Sequence, residues 1–311
     1  MNSTTDRLSA VRLADDQAGL LTVSAHGTDV LTYAYRPELP AAECPGPALH
    51  PLRTLSGGTV TMRRPNEHRH HKGLVMMAMH LSGQNFVGGS TYVPGAPGHG
   101  YVDLPNVGRL DHTGFADVAE AGRPGFTETL AWRTADGEHW IDELRTVTVT
   151  EVDPDGGHWT LEFATELHNV RGETLTFGSP TVYGRENAGY CGLLWRGPRD
   201  FGGGRILAAD GLEGPEASGH ASPWLAFGGE FDVRDGHATL LFRADPECHG
   251  ESGPHWFVRN LPFAVVNPSL AFYEERHLPA GDTLRLRYRV TIADGAWHRE
   301  RIEKYLADRP W

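Results

Sequence analysis

The stretch DELRTVTVTEVDPDGGHWTLEFATELHNV, residues 142–170, decides the fold. In its first arm Val147 and Val149 alternate with threonines; in its second, Trp159, Leu161, Phe163 and Leu167 alternate with polar or small residues. A period of two is the mark of a strand with one buried face. The Gly156-Gly157 pair between the arms supplies the turn chemistry of a hairpin. The segment therefore predicts two long antiparallel strands.

The same texture extends in both directions. Strand candidates are SAVRLA (9–14), LLTVSA (20–25), VLTYAYR (30–36), TVTMRR (59–64), GLVMMAMHL (73–81), FTETLAWRT (126–134), ETLTFGSPTV (173–182), HATLLFRAD (237–245), PFAVVN (262–267) and TLRLRYRVTIAD (283–294). Gly, Pro, Asp and Asn punctuate the gaps, as at Asp136-Gly137. One helix stands out, AWHRERIEKYLADR (296–309), with Ile302, Tyr305 and Leu306 as a narrow apolar stripe expected to lie on the sheet edge. The class is all-β, either one large antiparallel double sheet or two small β-domains. Because strand patterning continues on both sides of GGGRILAADGLEGPEASGH (202–220), the preferred reading is one domain over 1–311 with a long loop there.

Composition narrows the function classes. The chain has 311 residues, 39% apolar, and a formal net charge of −12, which argues against a nucleic-acid partner. No run approaches the apolar length of a membrane span, and the N-terminus lacks the pattern of a signal peptide. Cys44, Cys191 and Cys248 are too few and too scattered for a disulfide framework. The expected setting is cytoplasmic. Lys72 and Lys304 are the only lysines, so Lys72 is the one Schiff-base candidate beside the next feature.

That feature is NEHRHHKGL (66–74), directly before the apolar run LVMMAM. On an extended chain His68 and His70 share a face and His71 points with Arg69. Two chemistries fit. Imidazole exchanges protons near neutrality, making acid–base catalysis one reading. A divalent metal is the other, with His68 and His70, or a bent pair such as His68 and His71, joined by His112 from RLDHTGF, or by His80 or His50. Against both stands an ordinary charged turn. Pro65 and the absence of a helical HExxH place the cluster on loop or strand.

Three further groups bear on a site. GSPTVYGRENAGYCGLLWRGPRDFGGG (178–204) sets Tyr183, Arg185, Glu186, Asn187, Tyr190, Trp195 and Arg196 among glycines, which let a backbone approach a ligand; its aromatic faces suit a sugar ring. VVNPSLAFYEERHLPAG (265–281), read as strand, puts Glu274 on one side and Glu275 on the other, so either could be a carboxylate base. In GRLDHTGF (108–115), His112 sits between turn-forming residues.

Together, HPLRTLSGGTVT (50–61), NEHRHHKGL, HTGF (112–115), SPTVYGRENAGYCGLLWR (179–196) and NPSLAFYEERHLPAGDTLRLRYRVTIADG (267–295) resemble the bacterial family called PmoA-like, or "methane oxygenase PmoA". The similarity runs roughly from 20 to 309. The family's Asp-His-Pro-His-His-x-Gly signature stands here as Glu67-His68-Arg69-His70-His71-Lys72-Gly73, with Glu for Asp and Arg for Pro. Methane oxidation is rejected, since this chain has neither a bilayer-spanning segment nor an N-terminal histidine for a copper brace. The family has no established activity. It is similar to galactose-mutarotase-type proteins, which implies a large antiparallel β-supersandwich with a short C-terminal helix and a ligand groove on a concave sheet face. Plain mutarotation is put in doubt, because the match to aldose epimerases is not motif-level.

The resemblance implies an enzyme using acid–base chemistry on a sugar or keto-sugar: an epimerase, lyase or hydrolase. His71 is assigned as acid/base, Glu275 or Glu274 as its partner, and His112 as a further catalytic group. Arg53, His68, Arg185 and Asn187 would bind substrate, with Tyr190 and Trp195 as stacking surfaces. No cofactor is expected. The alternatives are a metal-dependent enzyme using His68, His71 and His112, and a non-catalytic sugar-binding module.

Overall fold

The computed structural model describes residues 11–119 and 123–311; residues 9 and 10 of the first strand candidate lie outside them. The chain forms β1 (Val11–Asp15), β2 (Leu20–Ala25), β3 (Thr28–Ala34), β4 (Ala48–Leu52), β5 (Leu74–Ala78), β6 (His80–Leu81), β7 (Thr91–Tyr92), β8 (Tyr101–Val102), β9 (Arg109–Ala119), β10 (Gly125–Arg133) and β11 (His139–Asp153). It continues with β12 (His158–Asn169), β13 (Leu175–Gly178), β14 (Cys191–Arg196), β15 (Arg205–Ala208), β16 (Trp224–Glu230), β17 (His237–Ala244), β18 (His255–Arg259), β19 (Val265–Ser269), β20 (Arg276–Leu278) and β21 (Thr283–Asp294). A one-turn helix (Pro246–His249) and a C-terminal helix (Arg299–Ala307) complete it.

Among the described residues sixteen of these strands make two eight-stranded sheets, while β20-β13-β6 form a three-stranded sheet and β7-β8 a two-stranded one. The first runs β1-β2-β3-β4-β5-β14-β19-β18 and the second β15-β16-β17-β21-β12-β11-β10-β9. The fold is all-β, an antiparallel double sheet with a short C-terminal helix. β11 and β12 pair antiparallel as their alternation predicts, with Val152 opposite Trp159 across the DPDGG turn and one bulge between Val149 and Glu151. Inward side chains of both sheets, among them Leu49, Trp195 and Trp256 from the first and Trp132, Phe163 and Val290 from the second, form one apolar cluster. Burial of that area is the main favourable term in folding.

Four local expectations change. TVTMRR is an extended segment joined by single bridges, Arg53 to Thr59 and Arg63 to Lys72, rather than a ladder strand. The 202–220 segment holds β15, the edge strand of the second sheet, with short turns after it. HTGF, read as a turn, lies inside the long strand β9. The C-terminal helix packs on the outer face of the second sheet rather than its edge: Ile302 and Tyr305 meet Leu207, Trp224, Ala226, Leu241 and Ala293. No helix among the described residues is long and apolar enough to cross a membrane.

Candidate functional site

β5 explains why a site lies on the first sheet. Leu74, Met76 and Ala78 point into the inter-sheet core, while Val75 and Met77 point outward and are nevertheless buried. An outward apolar row needs a cover. Here loops supply it, and Val75, Met77, Met79, Val87, Tyr190, Leu194, Phe257, Phe263 and Phe272 form a second apolar cluster outside the sheet. Between these loops opens a cleft of about 680 Å³, lined by His68, His70, His71, Arg185, Tyr101 and Arg259 among others. That volume suits a small sugar.

The histidines are delivered by two successive tight turns rather than an extended strand. The His68 N–H donates to the Pro65 carbonyl (3.0 Å) and the His71 N–H to the His68 carbonyl (2.9 Å). The Arg64 N–H closes the segment on the His71 carbonyl at 2.7 Å. This spacing aligns His68 with His71, whose rings lie 4.9 Å apart at 13°. His70 stands edge-on to both, 4.7 Å from His71 and 5.7 Å from His68. Gly88 and Gly89, both at positive φ, press against it: a Cβ on Gly89 would meet His70 Nδ1 at 2.6 Å. Only glycine combines that backbone with that approach.

Electrostatics hold these rings neutral. Burial first, then the neighbouring His68 and Lys72, pushes His70 down to about 3. Burial and then His70, His68 and Arg196 hold His71 well below the ordinary imidazole value. His68 is lowered too, chiefly by burial and then by Arg196. His71 is buried in the floor, 3% exposed. His68 lies over it, half-buried, with Nδ1 lacking a hydrogen-bond partner. Lys72 is buried with its Nζ donating to the Glu43 and Cys44 carbonyls, so it anchors a loop instead of presenting an amine.

Arg196, from the end of β14, braces the floor. It donates to Glu67 Oε1 at 2.8 Å, approaches His71 Nδ1 at 3.4 Å and covers the Phe263 ring at 4.1 Å. Glu67 also accepts from Arg199 at 2.5 Å. Partial burial opposes ionisation of Glu67, but its own backbone N–H and the two guanidinium groups together hold its carboxyl below the usual value. In the same cleft the Arg185 guanidinium lies 4.5 Å over the Tyr101 ring. Burial pushes that phenol up to about 12. Arg259 donates to the Asn187 carbonyl at 2.7 Å.

Of the residues singled out in the sequence, His68, His71, Arg185 and Tyr190 line the cleft. Asn187 supports the rim with its carbonyl, and its side chain is occupied by Ser218 Oγ. The others lie elsewhere. Trp195 is fully buried between the sheets, with Nε1 donating to the Val60 carbonyl at 2.8 Å and its ring against Phe227. It precedes Arg196 on a strand, so the two point to opposite faces. Arg53 donates to the Asp29 carbonyl, away from the cleft. His112, on β9 of the second sheet, binds Glu128 Oε1 at 2.5 Å. Glu274 and Glu275 are exposed, because the chain bends after β19 instead of continuing as strand; Glu275 accepts from Tyr183 at 2.9 Å.

Glu274 and Glu275 therefore do not line the cleft; among the described residues the carboxylate in its lining is that of Glu67. The metal set His68, His71 and His112 does not converge, since His112 belongs to the other sheet. Among the described residues no group of three His, Cys, Asp or Glu side chains is placed to hold a metal ion. Sequence reasoning misses Tyr101, Arg259 and Phe263, gives Arg196 no role, and offers His70 only as a metal ligand paired with His68. Arg196 was accessible through strand parity, once Trp195 is placed inward. Arg259 and Phe263 carry no local signal, because only the order of strands brings them beside the histidines.

No curated protein matches the chain. The profile described as "Family of unknown function (DUF6807)" matches residues 21–307, nearly the whole chain, and the chain belongs to that family.

Proposed function

We propose that this protein is an enzyme that acts on a sugar or keto-sugar derivative by acid–base chemistry, with His68 as the proton carrier. The observation that carries this reading is a cleft in which His68, His70 and His71, held neutral, share the lining with guanidinium and phenol groups. A neutral imidazole accepts a proton; an adjacent guanidinium stabilises the oxyanion that forms when the electrons move to a carbonyl oxygen. His71 lies behind His68 and positions it. Epimerisation or β-elimination fits better than glycoside hydrolysis, which ordinarily needs two carboxyl groups across the bond; Glu67 is the carboxylate lining this cleft, and it is committed to Arg196 and Arg199. The outer-face position accords with the groove of galactose-mutarotase-type proteins, and the PmoA-like signature with its histidine turns. A cytoplasmic setting, with a small-molecule partner and neither nucleic acid nor membrane, completes the proposal.

The rings of Tyr101, Tyr190 and Phe263 in the cleft favour a second reading, a non-catalytic sugar-binding module. One experiment separates the two. The protein is incubated with a panel of keto-sugars in deuterated buffer and the products are read by NMR. Time-dependent exchange or elimination next to the carbonyl, lost in His68→Ala, supports the enzyme. Binding without exchange or product supports the module.

A further inference from the structure

The cleft's charge is opposite to that of the molecule around it. The chain carries −12 overall, yet the lining offers Arg69, Arg185 and Arg259 against Glu67 alone. Glu67 is already matched by Arg196 and Arg199. His68, His70 and His71, held neutral by burial, neither create this excess nor cancel it. The positive character rests on guanidinium groups that stay charged at any working pH.

Arg185 and Arg259 are each stacked on one aromatic face. Arg185 stacks 4.5 Å over Tyr101 and Arg259 lies 4.9 Å over Phe257. Arg259 also gives one hydrogen bond to the Asn187 carbonyl. A guanidinium has five N–H donors in one plane, so most of each edge remains available. Both groups are partly buried, and neither has a carboxylate within ion-pair distance among the described residues. Such cations are costly to desolvate unless an opposite charge arrives. Stacking also fixes their planes in advance, which lowers the entropy lost when an anion docks.

We infer that the ligand of this cleft is a sugar carrying an anionic substituent, a carboxylate or a phosphate, bound by Arg185 and Arg259, which line the cleft together with the histidines. This rests on the reading of the cleft as a sugar site. Neutral sugars would leave the two guanidinium groups without a counter-charge and bind more weakly.

The test measures binding, not turnover. D-Glucuronate, D-glucose 6-phosphate and D-glucose are titrated at millimolar concentrations with NMR detection, against the intact protein and against Arg185→Met and Arg259→Met. At least one anion is expected to bind about tenfold or more tighter than glucose, with each Met variant losing most of that margin. The stronger of the two anions identifies the substituent. The margin in the unmodified protein must also shrink as KCl rises, a readout independent of whether the variants fold. Equal affinity for glucose, no binding of either anion, a salt-independent margin, or a margin that survives in both folded variants would overturn the inference. Anion preference without any turnover removes the enzymatic proposal and leaves this one standing; turnover of neutral sugars without anion preference does the reverse.

Discussion

His68 and His71 lie face to face, their rings 4.9 Å apart and 13° from parallel, with Phe263 edge-on to both. They differ in depth. His71 is buried against Arg196, whereas His68 is half-buried and keeps an unpartnered Nδ1. Replacing one should therefore not do what replacing the other does. His68→Ala is expected to change unfolding free energy by less than about 1 kcal/mol while lowering turnover about a hundredfold or more. His71→Ala is expected to lose about 2–3 kcal/mol from the cavity and the abandoned Arg196 contact. Urea unfolding alongside the deuterium-exchange assay checks both; equal stability loss in the two variants would contradict the difference in depth.

His112 serves the core. Its Nδ1 meets Glu128, which also accepts from the Tyr33 hydroxyl, and Arg145 donates to the same hydroxyl at 3.0 Å. Arg145 pairs with Glu143, which in turn accepts from Trp132 Nε1 at 2.7 Å. Glu128 is fully buried, and that burial, opposed by His112 and Arg145, raises its pKa. A satisfied buried network becomes costly when one member is removed. Glu128→Ala is expected to cost about 3 kcal/mol or more, and neither it nor His112→Ala should alter sugar affinity in protein that remains folded. A selective loss of binding with unchanged stability would return His112 to the site.

Gly89→Ala tests the closeness of the loop to His70. The added Cβ would stand 2.6 Å from Nδ1 on a backbone at φ +66°. Strain and overlap should together cost about 1–3 kcal/mol, and displacement of His70 should shift the histidine NMR signals of the cleft. Unchanged signals and stability would show that the loop yields easily.

The depressed histidines set a direction for pH. Burial holds His70 at about 3 and His50, His80 and His249 at about 4. In the unfolded chain they take up protons near the ordinary value of 6.5; in the native state they do not. As pH falls below about 6.5 the unfolded state binds more protons and stability declines, by about 1.4 kcal/mol per pH unit for each such group. For His70 the loss continues down to about 3. Above about 7 these groups contribute no slope. Below about 4.5 the paired carboxylates Glu67 and Glu151, both lowered, add a second loss in the same sense. Urea midpoints between pH 5 and 8 should fall on the acid side and level off on the neutral side; a flat profile down to pH 5 would contradict the neutral state of these rings.

The fold was legible where alternation and turn chemistry agreed. β11, β12 and β21 match their sequence patterns to within a few residues, because each has one face in the core and a side chain period of two. The site was legible in part. NEHRHHK announced itself by composition, but its two turns, not strand alternation, decide which rings align. The flat face of Trp195 suggests a stacking surface, yet the strand turns it inward and presents Arg196 instead. Glu274 and Glu275 were placed by extending a strand that ends at Ser269. His112 followed a turn signal from Asp111 and Gly114 that pairing with β10 overrides. Such misses share a cause: orientation is settled by which neighbour a strand pairs with, and that neighbour is distant in sequence.

The division between a sealed inter-sheet core and a cleft walled by loops outside the first sheet has an evolutionary consequence. Changes in the cleft lining, such as at Arg185 or Arg259, reshape its surface without opening a void between the sheets. Descendants of this architecture can vary the cleft while the scaffold keeps its packing.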